Sequence, residues 1–335
     1  MGIAMGQPFF QIRGLCRQGL VALSGDLAYY ASVSREVMDC IGRFSDVVEQ
    51  YSVDECFFNL HIRSVTDPLA YVCQMREQVA RQVGVPVAIG VAPTKTLAKA
   101  ASERAKKEAL PAWQVTEEGR RAFLASLPVG EVWGVGRQTE AKLTRMGLTT
   151  ALAFAEADLF VLKKRMSVRE SQLALELRGQ RQWPLVTAQP QAKSLQVTRT
   201  MPEIERRPEV LWQTLRGHAV EAVRRIQLQH LQTARVSAFM RTSWFSPWPK
   251  KVAGQIKLSR PTDQEPEIVK AVKSLFDRIY EPQWDYRALG VTLHDLTDGR
   301  FVQLTFDDVL DDHARKRQKL AELSAFALRT AEGDY

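Results

Sequence analysis

Seven residues, Tyr51-Ser52-Val53-Asp54-Glu55-Cys56-Phe57, constrain this chain more than any others. Val47, Val48 and Tyr51 precede the two acids, and Phe57, Phe58 and Leu60 follow them. Both flanks read as strands, which puts the adjacent carboxylates at the tight connection of a hairpin. Carboxylates fixed at a strand end are one way to hold magnesium, which takes oxygen ligands and keeps positions open for phosphates. A solvated acidic turn is the plain alternative, so the rest of the chain has to decide.

With 335 residues there is material for two or more domains with buried cores. Hydrophobic residues make up 45% and charged residues 25%, an ordinary globular balance that excludes a disordered chain. The 46 Lys and Arg against 38 Asp and Glu leave a net charge of +8, which points to an anionic partner such as nucleic acid. Cys16, Cys40, Cys56 and Cys73 form no C-x-x-C pair and have no histidine cluster nearby, so free thiols in a reducing cytoplasm are expected rather than a zinc site. No apolar run is long enough to span a bilayer, and no basic-then-apolar leader pattern opens the chain.

Apolar residues at three- and four-residue spacing predict a helix over 27–44, capped by Asp26. Asp67-Pro68 opens a second helix that Gly84 stops, and Val85 to Val91 reads as a buried strand. Thr94 then caps an alanine-rich helix on which Lys95, Lys99 and Lys106 share one face. Such a face is either a solvated surface or a ridge for the phosphates of DNA or a nucleotide.

Residues 126–148 carry a more specific pattern, in which Gly134-Val135-Gly136 joins a short helix to a second one with apolar residues at Ala141, Leu143 and Met146. This resembles a helix-hairpin-helix module, where glycines let the backbone approach DNA and the following helix start binds a phosphate. Arg137 and Lys142 would add charge. Helices are expected near 149–157 and 167–178, then a proline-bearing linker. From Ser194 the order of elements is βαββαβ, a sheet with helices on one face and Arg199, Arg235, Arg241 and Lys257 assigned to the other.

Together these motifs resemble the Y-family translesion DNA polymerases, most closely the UmuC type. Tyr51 to Phe57 matches a palm motif, Gly90 to Lys107 the next one, Leu127 to Leu148 the thumb, and 193–297 the little finger. The fold implied is a multidomain α+β protein with a ferredoxin-like palm sheet lacking its first strand. Its domains would be a fingers remnant (1–26), palm (27–110), thumb (111–182), linker (183–192), little finger (193–297) and tail (298–335).

The resemblance implies joining of a primer 3′-hydroxyl to a dNTP opposite damaged template, in the SOS repair response. Two magnesium ions about 3.5–4 Å apart serve such chemistry. Asp54 and Glu55 would be catalytic metal ligands, Lys106 a triphosphate contact, and Lys99, Gly134, Gly136, Lys142, Arg199 and Arg241 DNA contacts. Gln303, Leu304 and Phe306 are similar to a sliding-clamp peptide, although the stretch also reads as a plain strand. A UmuD-like accessory subunit and RecA are further implied partners. The family's first metal-binding Asp and its steric gate belong before the segment matching Gly2 to Phe9. On the resemblance, a truncated or mis-started product is expected, inactive or nearly so, with a DNA- and clamp-binding module as the alternative.

Overall fold

The computed structural model describes residues 2–60, 67–187 and 191–300. The chain divides into two compact units, Met1–Gln189 and Pro190–Tyr335.

The first unit begins with a short helix α1 (Phe9–Ile12) and a 3-10 turn over Arg13–Gln18, and no residue of 2–26 is buried. Helix α2 (Leu27–Gly42) follows, and the Asp26 carboxylate accepts from Tyr29 N at 3.0 Å as its cap. Strands β1 (Val48–Gln50) and β2 (Cys56–Phe58) pair antiparallel, with Glu49 opposite Phe57. Helix α3 (Pro68–Val83) starts at the Asp67 cap and stops at Gly84, whose φ of 76° is left-handed. Strand β3 covers only Ile89–Val91, shorter than the expected 85–91. The Arg76 side chain reaches across from α3 to take the Val87 carbonyl at 3.0 Å, where a strand partner would bond, and Pro86 has no N–H to offer.

Helix α4 (Lys95–Lys107) carries the lysine face, and β4 (Ala112–Gln114) returns to pair parallel with β3. β4 was not expected, since three residues show no periodicity. The strands thus form two two-stranded sheets among the described residues. The edges of β2 and β3 border one cavity of about 1240 Å³.

Helices α5 (Glu117–Ser126), α6 (Arg137–Arg145), α7 (Ala151–Glu156), α8 (Leu159–Arg165) and α9 (Val168–Leu177) complete the unit. Leu124, Leu143, Phe154, Leu162, Leu173 and Leu177 bury one core with Leu97 and Ala101 of α4. The expected linker is partly docked: buried Glu176 accepts from Gln182 N at 2.6 Å and Trp183 N at 3.3 Å, as well as from Thr96 N at 3.2 Å.

The second unit has the expected order: β5 (Ser194–Glu205), α10 (Pro208–Leu228), β6 (Leu231–Arg241), β7 (Lys251–Thr262), α11 (Glu265–Ile279) and β8 (Tyr286–Asp298). Its antiparallel sheet runs β5-β8-β6-β7. Leu211, Leu215 and Ile226 of α10 and Ile268, Val272 and Leu275 of α11 cover Val236, Met240, Leu289 and Leu293.

His218 of α10 is buried, and its Nδ1 has no hydrogen-bond partner among the described residues. Burial, aided by the Arg199 charge, holds its pKa below the ordinary value near about 6.5. The folded state therefore takes up this proton less readily than the unfolded chain. The neutral ring leaves stability complete above about pH 6.5, and stability is lost as pH falls toward the depressed folded pKa. Thermal unfolding followed between about pH 7.5 and 5.5 is expected to show the transition of the second unit moving to lower temperature as pH falls. His218→Phe should flatten that slope.

Candidate active site and nucleic-acid interface

The hairpin turn is fixed by its own backbone. Tyr51 N and Ser52 N both donate to Glu55 O, at 3.0 and 3.1 Å. Ser52 Oγ donates to Asp54 Oδ1 at 2.6 Å and accepts from Asp54 N at 3.3 Å. Asp54 is exposed and Glu55 half-buried, and both line the cavity between β2 and β3.

Helix α4 brings the three lysines to the same cavity, each already facing a carboxylate. Buried Lys95 pairs with Glu49 and lies 5.4 Å from the centre of the Phe57 ring. Lys99 Nζ lies 2.7 Å from both Glu55 Oε1 and Glu103 Oε1, and exposed Lys106 lies 3.0 Å from Glu103. Burial opposes the Lys99 charge, but the hydrogen bonds that Lys99 donates to Glu103 and Glu55 outweigh it and raise the pKa. Burial likewise opposes the Glu103 charge, and its bonds to Lys99 and Lys106 lower its pKa. The lysines are thus a paired network rather than the bare ridge that spacing predicts. Burial pushes the Cys56 thiol up to about 11, so it stays protonated and is a poor metal ligand.

Oxygen chemistry at the turn suits magnesium, which is commonly held by one or two carboxylates, with waters and substrate phosphates completing its shell. Asp54 and Glu55 can supply the protein part for one ion, with Lys99 as the charge that ion would displace. Among the described residues no group of three His, Cys, Asp or Glu forms a metal cluster, so the donor set falls short of the implied pair of ions.

An aromatic cluster ties this turn to the glycine motif. The Trp133 ring centre lies 5.3 Å from that of Tyr51, 5.5 Å from that of Phe57 and 6.1 Å from that of Trp183, all edge-on. Sequence reading passed over Trp133 and Trp183, as well as Glu49 and Glu103. The signal for the last was its four-residue spacing from Lys99.

In the hairpin motif the expected short helix is a single 3-10 turn, Val129–Glu131. Gly134 has φ of 89°, a conformation that favours glycine. Gly136 is the N-cap of α6 and lacks a capping side chain, so the first N–H groups of the helix are presented beside exposed Arg137 and Lys142.

On the second unit, strand pairing corrects one residue. Arg199 stands opposite Leu289, a core residue beneath the helices, so it is on the helix side of the sheet and not the open face. Alternation along β5 settles this, since Leu195, Val197 and Arg199 share a side. The open face does carry Arg235 opposite Lys257 and Arg241 opposite Lys251. Arg235 is held by Asp295 at 2.6 Å, and Arg241 lies 4.8 Å from the Trp244 ring centre. Gln303, Leu304 and Phe306 lie outside the described residues.

Comparison with known proteins adds lineage. Residues 1–103 match the impB/mucB/samB family, 117–148 the IMS family HHH motif, and 192–306 the impB/mucB/samB family C-terminal domain. Protein ImpB of Salmonella typhimurium is 32% identical over 92% of this chain and 75% of its own length. Protein UmuC of Salmonella typhimurium strain LT2 is 31% identical over 92% and 75%. DNA polymerase IV 2 of Bacillus subtilis is 27% identical over 94% and 76%. Among solved structures, a Y-family DNA polymerase chimera of Dbh and Dpo4 superposes with a TM-score of 0.72 at 17% identity, covering 88% of this chain and 84% of that one. A Dbh ternary complex gives 0.53 at 16% identity, covering 88% and 85%. No helix among the described residues is long and apolar enough to cross a membrane.

Proposed function

The chain belongs to the impB/mucB/samB family, and from that premise we propose that it binds primer–template DNA and a dNTP for synthesis opposite damaged bases, with Asp54 and Glu55 at the nucleotidyl-transfer centre. The observation that carries this reading is the fixed carboxylate turn beside the lysines of α4, all bordering one cavity.

One magnesium ion held by Asp54 and Glu55 would supply positive charge to the phosphates of the bound nucleotide. The protein's own part follows from its contacts. Ser52 holds Asp54 in place, leaving the other carboxylate oxygen to bind a cation. Lys99 pairs with Glu55 and is the charge a bound cation would have to replace there. Lys106 is exposed and held only at the helix surface by Glu103, so it is the lysine best placed to turn to a triphosphate. Phosphate contacts by the start of α6 and by the open sheet face position DNA without reading its sequence. A clamp contact through Gln303, Leu304 and Phe306, a UmuD-like subunit, RecA and a cytoplasmic SOS role complete the reading.

The Glu55–Lys99 ion pair favours a second reading, a DNA-binding module without chemistry. Primer extension with magnesium separates the two. Extension that requires Asp54 supports the polymerase. Normal primer–template binding with no extension supports the module.

The open face also has its own test. Affinity for primer–template should fall as salt rises, because phosphate contacts release counterions. Lys251→Gln and Lys257→Gln are each expected to reduce the slope of log affinity against log salt by about 1. An unchanged slope in the double variant would remove this face from the DNA site.

A further inference from the structure

Between Leu231 and Thr262 the chain carries Arg235, Arg241, Lys250, Lys251, Lys257 and Arg260 and no carboxylate. This stretch is the β6–β7 hairpin, and its connection holds Trp244 and Trp248 out at the tip, 65% and 78% exposed. A solvated turn needs only small polar residues, so two exposed indoles are unexplained by turn chemistry.

The loop is built rather than loose. Thr242 N donates to Lys250 O at 2.9 Å, and Lys250 N returns to Thr242 Oγ1 at 2.9 Å. Ser246 Oγ accepts from Trp248 N at 3.3 Å, and Pro247 and Pro249 fix φ on either side of that tryptophan. The Arg241 guanidinium lies 4.8 Å from the Trp244 ring centre, and the next cross-strand cation is Lys251. The aromatic tip therefore passes directly into the cationic open face of the sheet.

We propose that this tip is a binding site for single-stranded nucleic acid, with unpaired bases stacking on Trp244 and Trp248 and phosphates met by Arg241, Lys250 and Lys251. Exposed rings interleaved with cations are what such a strand requires, because every base offers a π-face and every linkage a negative charge. A second copy of the same tip is a poor occupant, since its cations would repel these. A duplex is also a poor one, since its bases are already stacked. The site needs nothing from Asp54 or Glu55, so it stands or falls separately from the transfer centre.

The test uses the full chain and fluorescence anisotropy with labelled 12-nucleotide oligothymidylate and, in parallel, a blunt duplex of equal length. Trp244→Ala/Trp248→Ala is expected to weaken oligothymidylate binding about 30-fold and leave duplex binding within about two-fold. Trp244→Phe/Trp248→Phe should keep most of the affinity, and circular dichroism checks that both variants fold. Equal losses on both probes, or no loss on either, would overturn the site. So would sedimentation showing that the alanine variant loses self-association while oligothymidylate binding is unchanged, which would make the tip a protein contact.

Discussion

Gly90→Ala is expected to destabilise the first unit by about 3 kcal/mol or more, with overpacking against backbone as the cause. A Cβ at this position would sit 2.0 Å from the Ala98 carbonyl oxygen and 2.4 Å from Ser102 N. Neither is the movable end of a side chain, so relief requires α4 to lift off β3. Ser102 Oγ also bonds Ala88 O across this contact at 3.1 Å, and that bond would be strained with it. Since α4 presents Lys95, Lys99 and Lys106, a lifted helix would also withdraw Lys99 from Glu55. Thermal or urea unfolding of the full chain should show the first transition moving sharply while the second stays in place. An alanine variant as stable as the parent would mean that α4 does not pack this closely.

Asp54→Asn is expected to remove the magnesium dependence of dNTP binding, lowering affinity in magnesium by on the order of 100-fold, the scale of losing metal-borne charge stabilisation. Asparagine keeps the volume and can still accept from Ser52, so the turn should hold. Asp54 is exposed and buried packing does not depend on it, so unfolding should be little changed. Primer–template affinity in the absence of nucleotide is expected to stay within about two-fold, because DNA contacts are assigned to α6 and to the open sheet face. Loss of DNA binding and nucleotide binding together would point to a structural role instead.

Much of this architecture was legible before any coordinates. The Asp26, Asp67 and Thr94 caps all accept from the backbone as their sequence positions suggest, because capping is local chemistry. The βαββαβ order was legible for a similar reason, since long strands and helices display their period. What failed was non-local. The shortness of β3 depends on Arg76, eleven residues away, claiming a carbonyl. β4 is three residues whose identity as a strand comes only from its partner. Arg199 was assigned to the wrong side of its sheet, because the side is set by register against β8, and no single strand reveals its register.

The candidate site shows the same division. Asp54 and Glu55 stand at the hairpin turn where the pattern of apolar flanks put them. The lysines of α4 reach them, yet their pairing with Glu49, Glu55 and Glu103 was hidden: two of those contacts join residues more than forty apart. Trp133 drew no reading from the sequence, yet it packs edge-on against Tyr51 and Phe57. Aromatic residues beside a turn carry no directional signal of their own. Which ring they meet is decided by the packing of α5 to α9 against α4, a contact of the completed core.

The central claim is that Asp54 and Glu55 form the cation-binding end of a nucleotide site, with Lys106 at its phosphate end. Calorimetric titration of a dNTP into the full chain, with magnesium and then with chelator, tests it most directly. The expected result is binding that strengthens with magnesium in the parent chain, does not respond to magnesium in Asp54→Asn, and weakens in Lys106→Ala. Binding of equal strength with and without magnesium, the same in the parent and in Asp54→Asn, would contradict it.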